Sequence, residues 1–185
     1  MTRRFTLILP VWLFILSATF AQQFPAEKIT LPNSKLDNLY KFDEGVYRSE
    51  QPSKKDFLAL EAYGIKEVLS LRRFHSDNDE AEGTNITLHR LKTHAHSISE
   101  KQVIEALKII KDRQGPILIH CRHGSDRTGA VLAMYRIVFQ NYTKEQAIEE
   151  MKKGGFGFHR IYGNIVRLIN KADVEQIKKE VFDTN

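Results

Sequence analysis

Cysteine is nearly absent from this chain. Its 185 residues hold one, Cys121, which excludes an intramolecular disulfide framework and any Cys-rich zinc or iron–sulfur cluster. Long apolar runs are lacking too. The most apolar stretch, Phe5 to Phe20, is interrupted by Pro10 and falls short of the roughly 20 residues of a bilayer-spanning helix. Arg3 and Arg4 precede it and small residues surround Thr19-Phe20-Ala21, so it reads as a leader, residues 1–21, cut after Ala21. Export is therefore expected, with no stable membrane insertion of the mature chain, and no cysteine follows the run to take a lipid. There is no internal repeat or low-complexity tract. The seven histidines show no H-E-x-x-H spacing and the basic residues form no stripe interleaved with aromatics. Neither a metal cofactor nor a nucleic-acid partner is expected. The excess of 28 Lys+Arg over 23 Asp+Glu gives +5, which favours anionic partners without committing to a kind. A hydrophobic content of 42% suits one globular domain with a true core.

Residues 22–38 hold two prolines and little periodicity, which predicts an extended lead-in to a domain over 39–185. Strand-like LYKF and VYRS flank Asp43-Glu44-Gly45, a hairpin pattern. Pro52-Ser53 opens a helix through Tyr63, with Gly64 as its stop. A buried-strand pattern at Lys66 to Leu71 precedes a polar loop, Arg72 to Asn85, and a second strand at Ile86 to Leu91. Ser99 with Gln102 makes a capping box for a helix to about Arg113. Gly115-Pro116 breaks it before the apolar strand Ile117-Leu118-Ile119, which runs into His120-Cys121. A helix is expected from about Thr128 to Gln140, another capped by Thr143 with Gln146, and one or two more after the Gly154-Gly155-Phe156-Gly157 loop. Strands alternating with helices give an α/β class: a central mixed sheet of four to five strands flanked by helices. Ligand chemistry then belongs at the carboxyl ends of the strands.

The junction at His120 to Gly129 reads HCRHGSDRTG. A loop leaving a buried strand and entering a helix gathers backbone N–H groups and the helix dipole into one anion-binding concavity. Gly124 permits the tight path and Gly129 close helix packing. In that field the Cys121 thiol should ionise more easily, and the thiolate is the nucleophile. Arg127 returns a planar fork able to hold two phosphate oxygens.

This stretch resembles the H-C-x5-R-[ST] motif of the cysteine-dependent protein tyrosine phosphatases. Val46-Tyr47-Arg48-Ser49-Glu50-Gln51-Pro52 and GGFGFH at 154–159 extend the likeness, over about Leu39 to Leu168, to small dual-specificity-type bacterial phosphatases, some of them exported. The resemblance implies a dual-specificity phosphatase-like fold and a monomeric enzyme of the bacterial periplasm without cofactor. Its expected substrate is a phosphorylated protein or a small phosphoester. It also implies a phosphocysteine on Cys121, phosphoryl binding by Arg127, help from Thr128 to the departing thiolate, and loop orientation by His120. Arg122, His123, Gly124, Ser125, Asp126 and Arg127 would line the phosphate. Arg122 and His123 either widen the positive field or are simply solvated.

The family takes its general acid from an aspartate on the loop that here follows Ile86 to Leu91, and this chain has no Asp or Glu from Thr84 through Ser99. Asp126 is the first substitute, because myotubularin and Sac-type phosphoinositide phosphatases place Asp-Arg at this point and their Asp is proposed as the acid. Its plainer role would be to hold loop amides. His96 and then His94, on the expected loop, follow, since a histidinium donates protons near neutral pH. Glu100 suits the first turn of a helix. The Phe156-Gly157-Phe158-His159 segment either forms one wall of the active-site mouth or, the commoner arrangement, packs both phenylalanines in the core, and Tyr47-Arg48 either flank the substrate or sit in an ordinary strand. The alternatives are an inositol-phosphate or phosphoinositide phosphatase, favoured by Asp126-Arg127, and a pseudophosphatase that binds phosphorylated ligands without turnover. Rhodanese-like sulfur transfer is disfavoured, because Arg127 and Thr128 answer a phosphate requirement.

Overall fold

The structure, a computed structural model, describes residues 25–183; the expected leader lies outside the described residues. Six strands form one mixed sheet, ordered β1-β2-β3-β6-β4-β5. They are β1 (Glu27–Lys28), β2 (Tyr40–Asp43), β3 (Val46–Ser49), β4 (Glu67–Arg72), β5 (Thr87–Thr93) and β6 (Ile117–His120). β1 to β3 pair antiparallel, while β3, β6, β4 and β5 run parallel. The strand count exceeds the expected four to five because the lead-in contributes β1, a two-residue strand on the edge of β2. So short a piece carries no hydrophobic period from which it could be read.

Side chains alternate across the sheet and build a core on each face. From β6, Ile117 and Ile119 enter one core and Leu118 the other; from β4, Leu69 and Leu71 enter the first and Val68 the second. The smaller core packs on Phe57 and Leu60 of α1 (Lys54–Tyr63). The larger takes the remaining helices, α2 (Glu100–Asp112), α3 (Asp126–Gln140), α4 (Lys144–Lys153), α5 (Gly163–Lys171) and α6 (Val174–Phe182). The expected boxes at Ser99/Gln102 and Thr143/Gln146 cap α2 and α4. Gly64 ends α1 in the left-handed conformation. α3 is buried along nearly all its length, the pattern of a central helix covered on every side. Gly129 lets it approach α4 closely: a Cβ there would stand 3.0 Å from Met151 Cγ.

β3 and β6 end in register and β4 runs on to Arg72, with Ser49 and Ser70 both opposite His120. The carboxyl ends of three strands thus open where the sheet gives way to the Cys121 loop. α3 begins at Asp126 rather than Thr128, which puts Arg127 in its first turn and brings that side chain back over the strand ends.

Candidate active site

The loop from Cys121 to Ser125 is held from outside by its carbonyls. The backbone N–H of Gln51 donates to Arg122 O at 3.2 Å, Asn38 Nδ2 donates to His123 O at 2.8 Å, and Arg48 Nη2 donates to Gly124 O at 2.5 Å. Three consecutive carbonyls turned outward leave the neighbouring N–H groups to converge inward, the geometry of an anion nest. Gly124 makes the path possible. Its φ is +68°, and a Cβ would fall 2.3 Å from Ser49 O, a separation no packed side chain tolerates.

Cys121 sits at the floor of this nest, 2% exposed. Burial pushes its thiol up, but the Thr128 hydroxyl, the Arg127 charge and the amides of Thr128 and His123 outweigh it and hold the thiol below its ordinary value. Thr128 Oγ1 is buried without a hydrogen-bond partner, which leaves the hydroxyl free to turn toward the sulfur. Arg127 Nη1 donates to Leu71 O at 3.1 Å and Thr93 O at 3.4 Å. Those carbonyls lie at the ends of β4 and β5 and fix the plane of the guanidinium. Arg122 and His123 are exposed at the mouth, and Ser125 is buried with Oγ donating to His123 O.

His120 is fully buried, its Nδ1 3.2 Å from Cys121 O and its Nε2 2.8 Å from Asp77 Oδ2. Both ring nitrogens thus face oxygen acceptors. Asp77 also accepts from Gln51 Nε2 at 2.9 Å, and Gln51 Oε1 accepts from Arg72 Nη1 at 3.0 Å. Burial raises the Asp77 carboxyl, but the hydrogen bond and charge of His120, then Gln51 and Ser70, hold it below its ordinary value. The sequence reading missed Asp77 and treated Arg72 to Asn85 as a plain loop; only a partner far along the chain marks it out.

Of the two readings for Tyr47 and Arg48, the strand is the one found: both sit buried in β3. Tyr47 packs in the smaller core against Tyr63, and Arg48 is buried beneath the loop with its guanidinium 3.8 Å from the Phe156 ring centroid. Desolvation pulls the Arg48 pKa down to about 9, which the Cys121 charge partly opposes. Its interior placement follows from strand alternation, which the carbonyl of Gly124 and two aromatic rings make tolerable. The lead-in is also more than an extension, since Asn38 Nδ2 donates to both His123 O and Phe156 O and so ties the Cys121 loop to the glycine loop.

Phe156 is buried as expected and Phe158 packs partly buried against the same core. Glu100 opens α2 at the surface. His94 lies against the Phe74 ring at 5.6 Å and His96 against the Tyr162 ring at 4.9 Å, on the loop that starts at Thr93 beside Arg127. The Asp126 carboxylate accepts from His159 N at 2.9 Å, and His159 Nδ1 stands 3.0 Å from Oδ2.

A buried thiol with a lowered pKa inside a nest of amides, closed by a fixed arginine in the first turn of the next helix, is the constellation of cysteine-dependent phosphatases. Residues 43–141 match the family described as polymorphic toxin system, DSP-PTPase phosphatase. The chain belongs to the DSP-PTPase family. It is 35% identical over 145 residues to the dual specificity protein phosphatase TpbA of Pseudomonas aeruginosa, an alignment covering 76% of this chain and 65% of that relative. The chain thus spans a little under two thirds of that relative's length. A crystal structure of P. aeruginosa TpbA in complex with phosphotyrosine superposes with a TM-score of 0.76 at 29% identity, covering 90% of this chain and all of that one. Inositol diphosphatase DSP3 of Arabidopsis thaliana is 31% identical over 125 residues, 63% of this chain and 61% of its own length.

Proposed function

We propose that this chain is a phosphomonoesterase of the tyrosine and dual-specificity type. The observation that carries the proposal is the outward tethering of the Arg122, His123 and Gly124 carbonyls around a Cys121 thiol held below its ordinary value. That arrangement positions an oxyanion directly over a nucleophile. In the first step Cys121 Sγ attacks phosphorus, the P–S bond forms, the ester P–O bond breaks, and the leaving oxygen takes a proton. Arg127, its plane set by Leu71 O and Thr93 O, holds the equatorial oxygens as charge develops. In the second step water attacks the phosphocysteine, and the Thr128 hydroxyl stabilises the departing thiolate. His120 orients the loop, and no metal or cofactor is required. We further propose that residues 1–21 direct the chain to a periplasm, where it acts as a monomer.

The phosphotyrosine complex of the similar TpbA structure supports a phosphorylated protein as substrate. One observation favours a more anionic ligand: Arg72, Arg122 and Arg127 stand close enough that, after desolvation, the other two guanidiniums help to lower the Arg72 pKa. A cluster of three positive charges suits an inositol phosphate or diphosphate, and the plant relative's name agrees with it.

The test is phosphate release from an activated aryl phosphate by the chain and by Cys121→Ser, with a phosphotyrosine peptide and a soluble inositol diphosphate run beside it. Turnover lost in the serine variant is expected. A folded chain that releases no phosphate from any of the three, yet binds them, is a pseudophosphatase and overturns the proposal.

A further inference from the structure

We infer that His159, held on the Asp126 carboxylate, supplies the proton to the leaving oxygen. The inference rests on the phosphoryl-transfer reading above. The chain has no acid where its family places one, and Asp126 stood first among the substitutes. In the structure, however, the side chain of Asp126 is only 9% exposed and its carboxylate is engaged as an acceptor. The His159 backbone N–H reaches Oδ1 at 2.9 Å, and His159 Nδ1 lies 3.1 Å from Oδ1 and 3.0 Å from Oδ2. The carboxylate orients an imidazole instead of addressing the substrate itself.

That imidazole stands at the mouth. Its side chain is 52% exposed, its ring centroid is 5.9 Å from that of His123 on the phosphate loop, and 6.3 Å from that of Tyr162. Asp126 immediately precedes Arg127, so His159 is anchored one residue from the group that holds the phosphoryl oxygens. With Nδ1–H committed to Asp126, Nε2 is the free nitrogen. A carboxylate behind an imidazole fixes its orientation and stabilises the imidazolium, the arrangement an acid of this kind needs. His94 and His96 have no such support: their ring contacts are with Phe74 and Tyr162, and neither makes a side-chain hydrogen bond among the described residues. The charged and titratable groups facing His159 are Asp126, His123 and Tyr162, with His96 behind Tyr162 and Arg127 beyond Asp126.

The step balances. As the P–S bond forms and the ester P–O bond breaks, the oxygen's electron pair takes the proton from His159 Nε2, leaving a neutral imidazole whose Nδ1–H still donates to Asp126. In the second step that neutral Nε2 accepts a proton from the water attacking phosphocysteine, which restores the imidazolium.

The experiment compares the full chain with His159→Gln, Asp126→Asn and His96→Gln on phosphotyrosine, whose leaving group needs protonation, and on an activated aryl phosphate, whose leaving group barely does. His159→Gln is expected to lose about a hundredfold or more in kcat on phosphotyrosine, in keeping with general acid catalysis, and far less on the activated ester. Asp126→Asn should show the same split, and the double variant should be no worse than the worse single one. Circular dichroism and the alkylation rate of Cys121 check that each variant retains fold and nucleophile. Equal losses on both esters, no loss on either, or a split that follows His96→Gln instead would overturn the assignment. Should the unsubstituted chain fail on the activated ester itself, the phosphatase reading falls and this inference with it.

Discussion

Replacing Asp77 by Asn tests whether the buried pair beneath Cys121 sustains both fold and nucleophile. The substitution keeps the shape but removes the charge that faces His120 Nε2 at 2.8 Å, and it offers Gln51 a neutral acceptor in place of a carboxylate oxygen at 2.9 Å. His75 Nε2, 3.8 Å from Asp77 Oδ1, and Arg72 feel the same loss. Both members of the pair are essentially inaccessible. Hydrogen bonds to charged groups contribute about 1.5–3 kcal/mol each, and removing one partner of a buried ion pair costs about 3–5 kcal/mol. The variant should therefore lose about 3 kcal/mol in urea unfolding near pH 7. The folded Asp77 carboxyl lies below its ordinary 3.8, so its stabilisation is complete above that value and fades as pH falls through the folded value. The gap between the two proteins should accordingly narrow in acid. The same change frees the His120 ring, whose Nδ1 faces Cys121 O at 3.2 Å. The pH profile of Cys121 alkylation should then shift upward, because the loop whose amides help to lower the thiol loses its anchor. A stability difference under about 0.5 kcal/mol together with an unmoved alkylation profile would refute the reasoning.

What was legible in the sequence was local. The capping boxes at Ser99 and Thr143, the stop at Gly64 and the strand before Cys121 each depend on residues within four or five positions of one another, and each is found in the structure. The loop glycine could be read for the same reason, since Gly124 lies between a strand end and a helix start. Partnerships across the chain left no local trace. Asp77 and His120 are separated by 43 positions and Asp126 and His159 by 33; Asp77 stands in no pattern that marks it, and the GGFGFH segment holds His159 without showing its partner. The sequence leaves Arg48 between flanking the substrate and sitting in an ordinary strand, and its role also depends on distant partners: sheet alternation turns it into the larger core, where the Gly124 carbonyl and the Phe156 ring receive it. β1 escaped because two residues have no period. For the acid the sequence points first to Asp126, whose carboxylate is engaged with a histidine of the glycine loop.

Gly124→Ala should abolish turnover and alter Cys121 alkylation while leaving most helical structure in place. The added Cβ would meet the Ser49 carbonyl at 2.3 Å, and a rescued fold with normal activity would show that the carbonyl tethers do not shape the nest. Glu150→Gln removes one side of a buried bidentate pair with Arg136, both contacts 2.8 Å. It should cost about 3 kcal/mol in thermal or urea unfolding with little change in the Cys121 alkylation profile; a large change there would mean that the pair also supports the site. Thr128→Ala probes the thiolate itself. Burial pushes the Cys121 thiol up, and the Thr128 hydroxyl is the foremost of the groups that bring it back below 9.0. Without it the alkylation midpoint should rise, so iodoacetamide reaction slows near pH 6 and converges with the unsubstituted chain well above pH 9. The folded thiol is depressed, so its contribution to stability is full above the unfolded value and falls away as pH drops through the folded one. The variant should lose stability at alkaline pH and little in acid. The same hydroxyl eases departure of the thiolate from phosphocysteine, so breakdown of the intermediate should slow more than its formation. A burst of alcohol release followed by slow phosphate release is the expected record. An unchanged alkylation midpoint without a burst would show that the hydroxyl does not engage the sulfur.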